Sequence, residues 1–276
     1  MPGALSRALA RAAGRFWSRL TEQTDVASPC IPILCYHSIA DRADSISPAR
    51  FAAQMRWLRG HSYEAVSLEQ AIEAGTRARR RCVVITFDDG LADVEREALP
   101  QLAACGLRAT VFFPPALAGA TMWYSPAARG FVDTAQDGAK RLDFMSWRQA
   151  EAMAEAGVSF QSHGWSHARL SALPDDEIVE QLARSRQTLE QRFGAPVCFL
   201  SYPFGDYDDR ARRLAARLGY KAAVTTVPGF NDARSNHYAL RRVAPNARDD
   251  LSSFAFKLSP AAGWYYRCFA RRGRGG

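Results

Sequence analysis

Two aspartates, Asp88 and Asp89, stand side by side where the apolar run Val84-Ile85-Thr86-Phe87 gives way to Gly90. Adjacent carboxylates destabilise each other unless a cation separates their roles. Two histidines four residues apart, in His163-Gly164-Trp165-Ser166-His167, supply the other half of such an arrangement. Two imidazole nitrogens and one carboxylate oxygen are the ligand set of an open, zinc-type catalytic site, with positions left for water and substrate. On this reading Asp89, His163 and His167 hold a divalent ion, and Asp88 stays free beside it as a base. Zinc is the first choice, and cobalt or nickel would suit the same donors.

Each signal taken singly has a plainer reading. Asp-Asp-Gly suits a turn, an isolated H-x-x-x-H pair suits a surface or a satisfied core, and Tyr202-Pro203-Phe204-Gly205 reads as a turn. His37, after Tyr36, would serve as a strand-end packing residue. His61, beside Gly60, reads as structural, as does His237 near Asn236, which is kept in reserve as an acid. What favours chemistry is that four signals fall at four strand ends.

Those strands are short β-rich runs: Ile31 to Cys35, Cys82 to Thr86, Ala109 to Phe113, Val158 to Gln161, Val197 to Ser201 and Ala222 to Thr226, with a weaker run at Ala239 to Val243. Helical patterns with readable starts lie between most of them. Ser47-Pro48 is a cap followed by proline, and Ser67 and Ser146 each have a Gln three residues on, the capping-box spacing. Pro174-Asp175-Asp176-Glu177 opens a long helix that Gly194 can end, and Asp206 precedes a helix through Leu218. Strict alternation implies right-handed crossovers and a parallel sheet. The predicted fold is α/β, a single distorted (β/α) barrel of about seven parallel strands, with its chemistry gathered where strands end. The Gly-, Ala- and Pro-rich segment Pro114 to Arg141 is expected to be a long loop shaping a cleft.

The chain has 276 residues, 47% of them apolar, enough for one sizeable core. Its net charge of +8 is concentrated at the ends: Arg7, Arg11, Arg15 and Arg19 at one, and Arg267, Arg271, Arg272 and Arg274 at the other. The body is therefore neutral, which argues against nucleic-acid binding on the fold itself. Leu5, Leu9, Ala12, Phe16 and Leu20 form an apolar stripe beside the first four arginines, with Trp17 suited to the headgroup level. Trp264, Tyr265, Tyr266 and Phe269 repeat the mixture at the other end. Both tails suit an anionic membrane surface. Six cysteines without C-x-x-C spacing read as buried hydrophobes in a reducing compartment. With no apolar span and no signal-type segment, the expected location is cytoplasmic, peripheral on the inner face of the membrane.

Thr86-Phe87-Asp88-Asp89-Gly90, His163-Gly164-Trp165-Ser166-His167 and Tyr202-Pro203-Phe204-Gly205, in this order, resemble the polysaccharide deacetylases of the NodB-homology group, carbohydrate esterase family 4. Pro32 to Ile39 resembles the branch in which the general-acid histidine lies near the N-terminus, as in poly-N-acetylglucosamine deacetylases. The resemblance covers roughly residues 30 to 258, which sets three segments: a basic amphipathic stretch 1–29, a catalytic domain 30–258 and a basic aromatic tail 259–276. It implies that Asp88 is the general base, that Asp89, His163 and His167 are metal ligands, and that His37 protonates the leaving amine. It further implies that the backbone N–H of Phe204 helps hold the oxyanion, with Tyr202 and Pro203 shaping the cleft wall. Two departures stand out. Gly164 occupies a position where the family usually has Ser or Thr, and Ser201 one where many members carry a base-orienting arginine. Arg242 is the candidate replacement, with a solvated strand-end arginine as the alternative.

The activity implied is hydrolysis of the acetamide of an N-acetylated amino sugar in a polysaccharide or lipid-linked glycan, releasing acetate. The alternatives are a deformylase or deacetylase of a polyprenyl-linked monosaccharide, a non-catalytic carbohydrate-binding barrel, and a magnesium-dependent sugar transferase that would leave both histidines idle.

Overall fold

The computed structural model describes residues 31–74, 81–125, 130–135, 138–232 and 234–269. In chain order the elements are β1 (Ile33–Tyr36), α1 (Pro48–Gly60), β2 (Glu64–Ala65), α2 (Leu68–Ala74), β3 (Cys82–Phe87), α3 (Leu99–Cys105), β4 (Thr110–Phe113), β5 (Thr121–Ser125), β6 (Gly130–Val132) and β7 (Lys140–Asp143). There follow α4 (Trp147–Glu155), β8 (Ser159–Ser162), α5 (Asp175–Phe193), β9 (Phe199–Ser201), α6 (Asp209–Arg217), β10 (Ala222–Pro228), β11 (Leu240–Arg242), α7 (Leu251–Lys257) and α8 (Pro260–Phe269).

The main sheet runs β1-β3-β4-β8-β9-β10-β11, with every neighbouring pair parallel. A bridge between Leu34 and Val243 joins its ends, through Cys35 N–H to Val243 O (2.9 Å) and Val243 N–H to Ile33 O (2.7 Å). The result is the distorted (β/α) barrel expected, and each predicted strand lies within two residues of its expected bounds. Strand periodicity then sorts the side chains. Ile33, Val84, Phe112, Phe199, Val224 and Leu240 pack together as one core, and a second, larger one lies between the sheet and the helices. One period further along, Cys35, Thr86, Ser201 and Arg242 carry the inward positions at the C-terminal mouth, so the barrel is apolar below and polar where the strands end.

Local capping follows the sequence. Ser47 accepts from Arg50 N–H (3.3 Å), and Ser67 and Ser146 each exchange bonds with the Gln three residues on. The helix expected after Asp206 starts later, because the Asp208 carboxylate caps it through Ala211 N–H (2.8 Å). The larger correction concerns Pro114 to Arg141. This is no simple loop: β6, β5 and β7 form an antiparallel sheet over the barrel mouth. Thr121, Trp123, Tyr124, Phe131 and Val132 are strong β-formers, and they outweigh the flanking Gly, Ala and Pro. α8 lies inside the segment assigned to the C-terminal tail, yet Ala262 is buried and the Tyr266 ring packs 6.3 Å from Phe230. The basic residues 1–20 and 271–274 fall outside the described residues. Among the described residues, no helix is long and apolar enough to cross a membrane.

Candidate active site

The turn after β3 carries Asp88 and Asp89, and the turn after β8 carries His163 and His167. Asp89 Oδ1 lies 3.3 Å from His163 Nε2 and 3.1 Å from His167 Nε2, and all three side chains are nearly buried. His163 Nδ1 lies 2.7 Å from the carbonyl of Ser201 and donates to it, which in the neutral ring leaves Nε2 as a bare lone pair facing Asp89. Asp89, His163 and His167 thus bring one potential ligand atom each to a common point, an arrangement that suits a cation held among them. Without one, burial pushes both imidazoles towards neutrality. Contact with Asp89 overrides this at His163, whose pKa is raised, while His167 is lowered. Burial would also raise Asp89, but its bonds to the two rings hold it well below the usual carboxylate range.

Both Asp89 (φ 70°) and His167 (φ 61°) hold left-handed backbone conformations, which non-glycine residues seldom adopt. Such strain clusters at functional sites. The His167 ring is wedged between Phe131 (4.7 Å) and Phe204 (4.4 Å).

Asp88 is organised differently. Arg242, from the end of β11, meets it with a fork: Nη1 donates to Oδ1 at 2.7 Å and Nη2 to Oδ2 at 2.5 Å. The same guanidinium donates to Thr86 Oγ1, Ser201 Oγ and Thr225 O, at 3.2, 3.1 and 2.9 Å. Arg242 is therefore a buried clamp on the carboxylate and not a solvated strand-end residue. Oδ2 also accepts from Ser201 Oγ (3.1 Å) and, weakly, from Cys35 Sγ (3.9 Å), so Oδ1 is the oxygen with lone-pair capacity to spare. Burial alone would raise the Asp88 pKa, but the Arg242 charge and its hydrogen bonds hold it down at about 2.

His37 follows β1, is exposed, and places a ring nitrogen within 4.8 Å of an Asp88 carboxylate oxygen. Its loop is anchored by Asp93, which accepts from Ser38 Oγ (2.5 Å) and Ile39 N–H (3.2 Å). These groups share one cleft of about 380 Å³, walled by Tyr124, Phe131, Leu142 and Phe204, with Lys140 and Asp44 paired on its rim.

Other sequence candidates sit elsewhere. Tyr202 borders the cleft but is fully buried, its hydroxyl bonded to Tyr238 O (3.0 Å) and its ring stacked on Tyr207 (4.6 Å). Pro203 is buried beside Gly164 and does not line the cleft, and exposed His237 does not line it either. His61 stacks on Trp57 at 3.9 Å, as a structural residue would. Phe204 is left-handed (φ 61°) and presents its ring to His167 and to the Arg169 guanidinium, 4.0 Å away. Residues to which the sequence assigned no role of their own include Thr86, Asp93 and Gln181, the last accepting from Trp165 and Ser166 N–H. Position relative to the strand ends was the available signal for Thr86, two residues before Asp88.

A family model described as polysaccharide deacetylase matches residues 75–223. The Bacillus subtilis protein YxkH is 30% identical over 217 residues, covering 77% of this chain and 70% of that one. The poly-beta-1,6-N-acetyl-D-glucosamine N-deacetylase of Staphylococcus aureus is 22% identical over 213 residues, 72% of this chain and 67% of its own. The solved structure of the Streptococcus pyogenes deacetylase PplD in complex with acetate superposes with a TM-score of 0.71 at 25% identity, over 86% of this chain and all of that one. The chain belongs to the polysaccharide deacetylase family.

Proposed function

We propose that the protein is a metal-dependent N-deacetylase, hydrolysing the acetamide of an N-acetylated amino sugar in a glycan to the free amine and acetate. The observation that carries this reading is the pairing, within one cleft, of a clamped carboxylate (Asp88) with a converging Asp89, His163 and His167 donor set. A divalent ion bound there, zinc by preference with cobalt or nickel as alternatives, supplies Lewis acidity that acidifies water and polarises the carbonyl.

The chain's own groups divide the remaining work. Asp88 stays ionised across the working pH range and takes the proton of the attacking water at Oδ1, the oxygen that Arg242 leaves with an open position. A carboxylate held near pH 2 is an intrinsically weak base, so its effect rests on placement by the Arg242 fork. His37 supplies a proton to the amine, a poor leaving group that needs one. The N–H of Phe204 helps hold the oxyanion. Tyr124, Phe131 and Leu142 offer apolar faces to a sugar ring, while Lys140 and Asp44 offer polar contacts at the rim. A cleft of about 380 Å³ is small among ligand sites, which suits a short stretch of sugar with the chain leaving at the open side.

Acetate release from a panel of N-acetylated glycans and polyprenyl-linked amino sugars, with and without chelator, tests this reading. Chelator-sensitive release on at least one substrate is expected, and metal-replete protein inert on all of them would overturn it. The basic tails favour a lipid-linked substrate at an anionic membrane. Co-sedimentation with anionic liposomes should therefore fall with salt and on removal of residues 1 to 20.

A further inference from the structure

The turn from His163 to His167 must hold two rings on one carboxylate oxygen although its second residue is Gly164, which has no side chain to brace it. Gly164 sits at φ 70°, a conformation glycine adopts freely. α5 runs alongside, and its polar face meets the amides of Trp165 and Ser166 directly and that of Gly164 through Ser162. Gln181 Oε1 accepts from Trp165 N–H (3.1 Å), Ser166 N–H (3.0 Å) and Ser166 Oγ (3.2 Å), and Gln181 Nε2 lies 3.0 Å from the same hydroxyl. One turn further along, buried Ser185 bonds Ser162 Oγ at 2.8 Å, and that oxygen accepts from Gly164 N–H at 3.3 Å. Between them, Arg184 lays its guanidinium over the Trp165 ring, 4.0 Å from the centroid. Spacings of three and four put all three side chains on one helical face.

We propose that Gln181 is a positioning residue for the metal centre, acting through the backbone of the His163–His167 turn and with Ser185 bracing the turn's start. This rests on the metal-site reading above. The consequence for the ligands is geometric. His167 is left-handed, and among the described residues its buried Nδ1 has no hydrogen-bond partner. Apart from its Nε2 contact with Asp89, the ring's orientation is thus set by the turn's backbone and by Phe131 and Phe204, with no bond at Nδ1 to fix it. Loss of the Gln181 oxygen that accepts from the Trp165 and Ser166 N–H groups lets the turn relax from the strained conformation and moves His167 off the shared vertex. Supports of this kind are worth about 10- to 100-fold in metal affinity.

The test compares wild type with Gln181→Met, which keeps helix propensity and bulk but offers no strong acceptor, and with Gln181→Glu, whose carboxylate restores the acceptor. Zinc affinity is measured by competition with a chromophoric chelator, and the visible spectrum of the cobalt-loaded protein reports ligand geometry. Thermal midpoints of the metal-stripped proteins report fold. The expected result is zinc bound about 10- to 100-fold more weakly by Gln181→Met with an altered cobalt spectrum, Gln181→Glu within about threefold of wild type, and similar metal-stripped midpoints. Unchanged affinity and spectrum in Gln181→Met would overturn the proposal while leaving the metal site standing. So would a Gln181→Glu protein as weak as Gln181→Met. A wild type that binds neither zinc nor cobalt would overturn the metal-site reading itself, and this inference with it.

Discussion

Replacing Arg242 with methionine isolates the clamp on Asp88. The change removes both bonds to the carboxylate, at 2.7 and 2.5 Å, and those to Thr86, Ser201 and Thr225, from a side chain that is 1% exposed. Methionine keeps an apolar stem at this position and removes the guanidinium, whose carbon lies 5.8 Å from the Phe112 ring centroid. What remains is a buried carboxylate with Ser201 and the weak Cys35 donor for company. Breaking a buried pair by removing one partner costs about 3–5 kcal/mol, a large share of a typical stability of about 5–15 kcal/mol. The sign of the pH dependence follows from the two folded-state pKa values. In the wild type the folded pKa is about 2 against an ordinary 3.8, so the stabilisation is complete above 3.8 and is lost as pH falls through 2. In the variant the main opposition to burial is gone and the folded pKa rises, so the penalty is full at neutral pH and is relieved as the carboxylate takes up a proton on acidification. The stability gap between the two proteins should therefore be widest at pH 7 and narrow by about 1 kcal/mol or more towards pH 4. Asp88→Asn should also cost less in the Arg242→Met background than in the wild type. Urea unfolding of the four metal-stripped proteins at pH 7, 5 and 4 measures all of this. A gap that does not change with pH, or strictly additive single variants, would refute the clamp.

Three further outcomes are expected. Asp88→Asn should keep bound zinc and lose about 10²- to 10⁴-fold in rate, whereas Asp89→Asn should lose zinc on dialysis; equal metal loss in both would end the division of roles. His37→Ala should slow acetamide cleavage far more than cleavage of an activated ester, whose leaving group needs little protonation, and equal losses would make His37 a binding residue. Gly205→Ala should lower the thermal midpoint by at least about 4 °C, because φ is 67° and the new Cβ would lie 2.0 Å from Thr226 Oγ1; an unchanged midpoint would show that the turn after β9 yields readily.

Much was legible in the sequence because it is local. β-rich runs alternating with capped helices define strands and crossovers within a few residues of each other, and a parallel barrel follows with its chemistry at the strand ends. Asp89, His163 and His167 were readable for the same reason: residue type and spacing identify donors, and each sits where a strand stops. The clamp was only half legible. Arg242 lies 154 residues from Asp88, and whether it reached the carboxylate or the solvent depended on barrel closure between β1 and β11. The same holds for Gln181, whose role comes from how α5 packs against the β8 turn, and for Tyr202 and Pro203, which a turn motif advertises and packing buries. The segment Pro114 to Arg141 was misread as a loop because composition reports flexibility averaged over a stretch, while an antiparallel sheet needs only a few alternating β-formers and partners across it. Sequence periodicity fixes which way a side chain points along its own element. Which group it meets is set by register and closure between elements far apart in the chain, and that is decided only when the barrel forms.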